Sequence, residues 1–373
     1  MKKILSLLIL SIAILSTCQN SYAESSNNNT IKFIYINGSN SNDESAKEVY
    51  LKGFHNLHKE MKHVLEQNET TSNQMLKNNL IDENEEVFFW GFQSKKEINT
   101  LNENLADAKK VSPSVSQHLR SFLAHCMHDA IWVQRDYNMQ KIVDQLHKNV
   151  MKAHKNGQKV VLMGHSAGGF VTYEYLLHKL KAGKIDFLTG KKENKYTCLD
   201  AVTKSKMAFE LANGKLVKNP NEKQFQEAYN RIDEYTECYC TPDDTLLGIV
   251  NFGSPLSLFY SSQISQAKDD ISAYQLHFLR YIQSHDMFVM TVNFADDAIG
   301  FPVGSNVSKN DIEMEFNTTL DENGKGFVYN YSKVRSRITF AGAHFAYWKL
   351  PTKFSKMVRD AYIKGYKNFY GIY

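Results

Sequence analysis

Short apolar runs separated by longer amphipathic stretches set the rhythm of this chain. The first run, IKFIYI at residues 31–36, is rich in β-branched and aromatic side chains and stops at Asn37-Gly38. It predicts a buried strand ending in a turn. From about Ser45 to Gln67, Val49, Phe54, Leu57, Met61 and Leu65 recur at helical spacings in a mostly polar segment. EVFFWGF at 86–92 predicts a second strand, whereas residues 93–130, with Pro113, show no clear period. Met139, Ile142, Val143, Leu146, Val150 and Ala153 then form a stripe of threes and fours, one apolar helix face, closed by Asn156-Gly157. KVVLMG at 159–164 predicts a third strand, and a helix from about Ala167 to Lys181 turns Phe170, Tyr173, Leu177 and Leu180 inward. LLGIVNFGSPL (246–256), FLRYIQSHD (278–286) and RSRITFAGAH (335–344) predict the fourth, fifth and sixth strands. A last helix begins near Thr352 and carries Phe354, Met357, Val358, Ala361 and Tyr362. Strands that alternate with helices predict an α/β fold with a largely parallel sheet covered on both faces.

The ends and the middle of the chain read differently. Residues 1–23 open with Lys2 and Lys3, continue through the apolar run Ile4 to Leu15 and finish at Ser21-Tyr22-Ala23. That is the build of a cleaved secretory signal, and it predicts a secreted or periplasmic protein occupying 24–373. A retained anchor, or a lipid on Cys18, is the alternative. Without Lys2 and Lys3 the 44 basic residues become 42, against 40 acidic ones. So even a balance excludes a nucleic-acid or anionic-membrane partner as the first expectation. The 20 Tyr and 22 Phe suit a large core or an apolar cleft. Residues 184–245 are Lys-rich and polar and read as an insertion in the α/β domain, either a cap over a site or a surface excursion. Residues 93–130 are a second cap segment to consider. Cys126, Cys198, Cys238 and Cys240 allow three disulfide pairings in an oxidising compartment, with Cys198 joined to Cys238 or Cys240 as the expected one. A zinc site is the weaker reading, since no histidine lies between His178 and His277. His125 and His128 likewise lack complementary ligands, so no metal is expected.

The chemistry concentrates at Gly164-His165-Ser166-Ala167-Gly168, which fits G-x-S-x-G between a strand and a helix. A serine hydroxyl is a weak nucleophile unless a base takes its proton. A sharp strand-to-helix turn projects it clear of its own backbone, and flanking glycines let strand and helix approach closely. The amides that open the helix favour the negative charge that develops on an attacked carbonyl oxygen. His165 is expected to point away from Ser166 and pack beneath the turn.

In VVLMGHSAGGF, in the earlier FIYINGS and in the later IVNFGSPLS, the chain resembles the α/β-hydrolase superfamily, especially its lipases and esterases. The resemblance spans most of residues 31–350. It implies an α/β-hydrolase fold, no cofactor, and a triad in the order serine, acid, histidine. Ser166 is then the nucleophile. His344 is the base, being the only histidine after residue 286 and standing directly after an apolar run. Asp286 is the expected acid, with Asp296 and Asp297 as rivals. The oxyanion donors are expected to be the Ala167 amide and one from the turn after the first strand, Ser39 first and Gly38 second. Many members carry His-Gly at that turn, where this chain has Asn37-Gly38.

The expected activity is hydrolysis of carboxylic esters, lipid esters foremost, through an acyl-enzyme. The expected partner is a small-molecule or lipid ester, with transient contact to a lipid surface. Acyl transfer to another alcohol, peptide cleavage, and a non-catalytic binding role on the same fold remain the alternatives.

Overall fold

The computed structural model describes residues 30–39, 44–108, 128–129, 131–181, 245–256, 282, 286–301 and 326–371. Among these residues seven strands form one sheet: β1 (Thr30–Ile36), β2 (Leu80–Ile81), β3 (Glu86–Phe88), β4 (Lys159–His165), β5 (Leu246–Phe252), β6 (Phe288–Phe294) and β7 (Phe327–Val334). The helices are α1 (Glu44–Glu66), α2 (Lys95–Ala108), α3 (Asp136–Lys155), α4 (Ala167–Lys181), the short α5 (Phe340–Ala343) and α6 (Ala346–Lys349), and α7 (Pro351–Tyr370). Among the described residues no helix is long and apolar enough to cross a membrane.

Every strand pairing is parallel. β1 has β2 and β3 on one side and β4 on the other, and the order continues β4-β5-β6-β7. The chain therefore leaves β1 in one direction, returns past it, and builds the rest of the sheet in the other. In parallel sheets the helices after two such strands depart to opposite faces, which opens a crevice at the carboxyl ends. Here that crevice lies between β1 and β4.

Side-chain alternation shows which helices cover which face. Tyr35 of β1 stacks on Phe54 of α1, ring centroids 5.1 Å apart; Phe252 of β5 lies 4.9 Å from Phe354 of α7; and Phe288 of β6 meets Tyr362 of α7 at 5.4 Å. One residue along β5, Asn251 points to the other face and accepts a 2.8 Å hydrogen bond from Thr172 of α4. With α1 and α7 on one face and α4 on the other, β5 and β6 are buried at every position. That is why both read as largely apolar runs without charge rather than alternating ones.

The α/β class and the parallel sheet expected from the sequence are present, and the stripes on α3 and α7 are buried as expected. On α1, Tyr50 rather than Val49 joins the buried face. EVFFWGF is a strand only to Phe88 and then forms a 3-10 turn at Gly91–Ser94. Two strands differ more. The fifth is FVMTVNF at 288–294, not FLRYIQSHD at 278–286, and Ile282 is helical. A strand covered on both faces has no room for Arg280 or Gln283, whereas FVMTVNF has no charge to bury. The sixth is FVYNYSKV at 327–334, and RSRITFAGAH is instead a bend leading into α5. The predicted signal, residues 184–244 of the predicted insertion, the four cysteines, His125 and the side chains of Leu177 and Leu180 lie outside the described residues.

Candidate active site

Because the strands are parallel, their carboxyl ends meet at one edge, and the segments leaving them are neighbours. Ser166 follows β4, Asn37-Gly38-Ser39 follow β1, Gly253 follows β5, Asp296-Asp297 follow β6, and His344 lies at the end of α5 beyond β7.

Ser166 occupies the left-handed region at φ 53°, a costly conformation for a residue with a side chain. It is held there because its amide donates to the Phe252 carbonyl (3.0 Å) while its own carbonyl accepts from Gly169 (3.0 Å). The bend is tight enough that a methyl group on Gly168 would strike the Ile36 carbonyl oxygen of β1. Ala167 opens α4, so its amide is among those a helix leaves without an internal partner.

The turn after β1 is drawn against this bend. A methyl group built on Gly38 would lie 2.6 Å from Ser166 Cβ and 2.8 Å from the Tyr50 hydroxyl. Ser39 is half-buried beside it. Asn37 is buried and spends its side chain on the backbone. Its Oδ1 accepts from the Trp90 amide (3.0 Å) and its Nδ2 donates to the Gly38 carbonyl (2.8 Å). The Trp90 indole in turn donates to the Asn37 carbonyl at 2.7 Å. This bracing explains why EVFFWGF leaves the sheet at Phe88.

His344 and Asp297 form a buried pair. The Nδ1 of His344 lies 3.2 and 3.3 Å from the two carboxylate oxygens of Asp297. Tyr347, one turn past His344, donates to Asp297 Oδ2 at 2.7 Å, and the Ile299 amide donates to Oδ1 at 3.0 Å. Burial alone would raise the Asp297 carboxyl, but the hydrogen bond and charge of His344, the Tyr347 hydroxyl and the Ile299 amide outweigh it and hold it below the ordinary value. Asp297 is therefore an anion that accepts the Nδ1 proton of His344 and leaves Nε2 as the basic nitrogen. Gly253, at φ 57°, fits beneath: a methyl group there would lie 3.1 Å from Asp297 Oδ2 and 3.2 Å from His344 Cε1.

Comparison with known protein families, with curated proteins and with solved structures finds no match. The site is read from its geometry.

Ser166, the Gly38 turn, Gly253, Asp297 and His344 thus stand together at one edge. The rings of His165 and His344 are 4.7 Å apart, which brings the residue next to Ser166 against the histidine. Among the described residues no hydrogen bond joins the Ser166 hydroxyl to His344. Such bonds are commonly long before substrate arrives and shorten in the reacting complex. Asp286 is elsewhere. It precedes β6, at the opposite edge of the sheet, and pairs with Lys77 at 3.0 Å. A seven-residue strand spans about 23 Å, far beyond hydrogen-bond reach. The acid beside His344 is Asp297, and the expectation of Asp286 came from placing the fifth strand ten residues early. Asp296 has another task. Its carboxylate accepts from the Ser336 amide (2.7 Å), the Ser336 hydroxyl (2.9 Å) and the Arg337 amide (2.9 Å), which ties the acid loop to the bend that leads to His344. Trp90 and Tyr347 carried no signal along the chain. Their partners are 53 and 50 residues away.

Proposed function

We propose that this chain is a serine hydrolase of the α/β-hydrolase fold that cleaves carboxylic esters, with lipid esters as the substrate class and with export from the cytoplasm. One observation carries the reading: a serine held at positive φ between a central strand and a helix shares the sheet edge with a histidine bonded to a buried carboxylate. The serine at positive φ costs stability, so the fold alone does not account for it. The Gly38 turn against Ser166 gives further support, since acyl transfer needs donors there.

In the proposed reaction His344 Nε2 takes the Ser166 proton as the hydroxyl attacks the ester carbonyl. Asp297 keeps Nδ1 protonated and stabilises the imidazolium without taking its proton. The oxygen anion is received by the Ala167 amide and by the turn at Gly38-Ser39. His344 then protonates the departing alcohol. Water, activated by the same nitrogen, releases the acid and restores Ser166. No step calls for a cofactor.

The test is labelling of the purified protein with a fluorophosphonate probe, followed by hydrolysis of p-nitrophenyl esters of graded chain length. Labelling at Ser166, absent in Ser166→Ala, with ester turnover is the expected result. A wild-type protein that does not label overturns the reading in favour of a binding protein on this fold. Faster amide than ester cleavage would make it a peptidase, and transfer to an added alcohol in preference to water an acyltransferase.

A further inference from the structure

His165 is fully buried between Ser166 and the segment that bears His344, and its two nitrogens reach different elements. Its Nε2 lies 3.0 Å from the backbone carbonyl of His344, and its Nδ1 lies 3.3 Å from the Tyr50 hydroxyl of α1. A carbonyl oxygen can only accept, so Nε2 carries the proton. Burial first, and then the nearby His344, push the His165 ring well below the ordinary histidine value, so it is neutral. A neutral ring with a proton on Nε2 has a bare Nδ1, so Tyr50 donates to it. The bonds run in one direction: Tyr50 hydroxyl to His165, and His165 to the His344 carbonyl.

Other aromatic rings enclose this one. Its centroid is 4.8 Å from Trp348, 5.3 Å from Phe252 and 5.8 Å from Tyr347, and the His344 ring covers it at 4.7 Å. A methyl group on Gly38 would lie 3.2 Å from His165 Nδ1 as well as 2.6 Å from Ser166 Cβ, so the turn after β1 leans on the same pair. The ionisable groups that face His165 are Tyr50, His344, Tyr347 and, through His344, Asp297. None gives it a direct anionic partner that would favour a charged ring.

We propose that Tyr50 and His165 are positioning residues that fix the backbone of His344 relative to Ser166 and to the Gly38 turn, so that the three loops of the site keep one spacing. The proposal rests on the hydrolase reading above. Asp297 orients the His344 ring, but a ring oriented on an unanchored loop can still stand at the wrong distance from the serine. A misplacement near 1 Å can cost about a hundredfold in rate.

The test compares wild type with His165→Phe and His165→Gln. The phenylalanine keeps the ring stack and loses both hydrogen bonds. The glutamine keeps a terminal N–H for the His344 carbonyl. Two readouts are taken on protein shown folded by circular dichroism: the rate of fluorophosphonate labelling at Ser166, and the downfield NMR resonance of the His344 Nδ1 proton. The expected result for His165→Phe is labelling slowed by about 10- to 100-fold, with the proton resonance broadened or shifted, and both largely recovered in His165→Gln. For p-nitrophenyl esters kcat falls while KM stays near wild type. If His165→Phe does not fold, Tyr50→Phe takes its place, with a several-fold fall in labelling and a change in the His165 ring nitrogen shifts as the tautomer is released. Wild-type labelling rates in His165→Phe, or a glutamine variant no better than the phenylalanine one, would overturn the proposal. If wild type itself fails to label, the hydrolase reading falls, and the Nδ1 proton alone then decides whether His165 holds His344: an unchanged resonance in His165→Phe says that it does not.

Discussion

At the amino edge of the sheet, Asp286 stands at φ 52° with its carboxylate 3.0 Å from the Lys77 ammonium, both side chains two-fifths exposed. At the carboxyl edge, Ser166 stands at φ 53° and the nearby carboxylate, Asp297, is buried against an imidazole. Both residues sit at positive φ, yet the partners differ. Carboxylates near the amino edge answer to lysines, as Asp82 does to Lys32 at 2.9 Å. At the carboxyl edge Asp297 has His344, a tyrosine hydroxyl and a backbone amide instead. A lysine neutralises a carboxylate permanently. A histidine leaves it an exchangeable proton to govern, which is what acid–base work requires.

The contrast can be broken in graded steps. The largest effect belongs to Ser166→Ala and His344→Ala, each expected to lower ester turnover by about a million-fold in folded protein. Asp297→Asn should cost roughly 10⁴-fold, because an amide in place of the anion favours the wrong imidazole tautomer. Asp286→Asn should leave turnover within about twofold. Were Asp286→Asn the damaging change and Asp297→Asn the mild one, as steady-state kinetics would show, the assignment of the two edges would be reversed. Gly253→Ala is expected to destabilise by about 1–2 kcal/mol in urea titration, since it adds a side chain at φ 57° under Tyr347, Asp297 and His344.

Acid should find the carboxyl edge as well. Asp296 and Asp297 both hold their protons more weakly in the folded chain than the ordinary carboxylate value of 3.8. Their contribution to stability is fully present above that value and is lost as pH falls through their lower folded values. Melting temperatures measured from pH 5 downward should therefore fall, and less steeply in Asp296→Asn. The smallest effect is expected from Lys77→Met, about 0–1 kcal/mol, as is usual for an exposed ion pair.

How much of this was legible in the sequence varies from element to element. The strand and helix on either side of Ser166 could be read because KVVLMG and the helix after it are contiguous, and local geometry settles the turn between them. His344 could be picked out only through the order serine, acid, histidine that the resemblance implies, as the one histidine after residue 286. The acid could not, because two apolar runs ten residues apart competed for one strand, and periodicity does not separate a buried helix from a buried strand. Burial made the choice: a strand covered on both faces takes the uncharged run, FVMTVNF, and of the run with an arginine the described Ile282 is helical. Trp90, Tyr347 and the bonds of His165 were beyond reach for another reason. Each is a contact between segments that only the folded chain brings together.

Asp296 and Asp297 are neighbours, yet one latches the bend at Ser336-Arg337 and the other faces the ring of His344. A single peptide unit therefore divides structural from chemical duty. Deleting one residue before Asp296 would put Asp297 at the tether and Ala298 against His344, and inserting one would put Asp296 against His344 and Ala295 at the tether, so either change loses one of the two duties. The length of this loop is thus set twice over, once by each carboxylate.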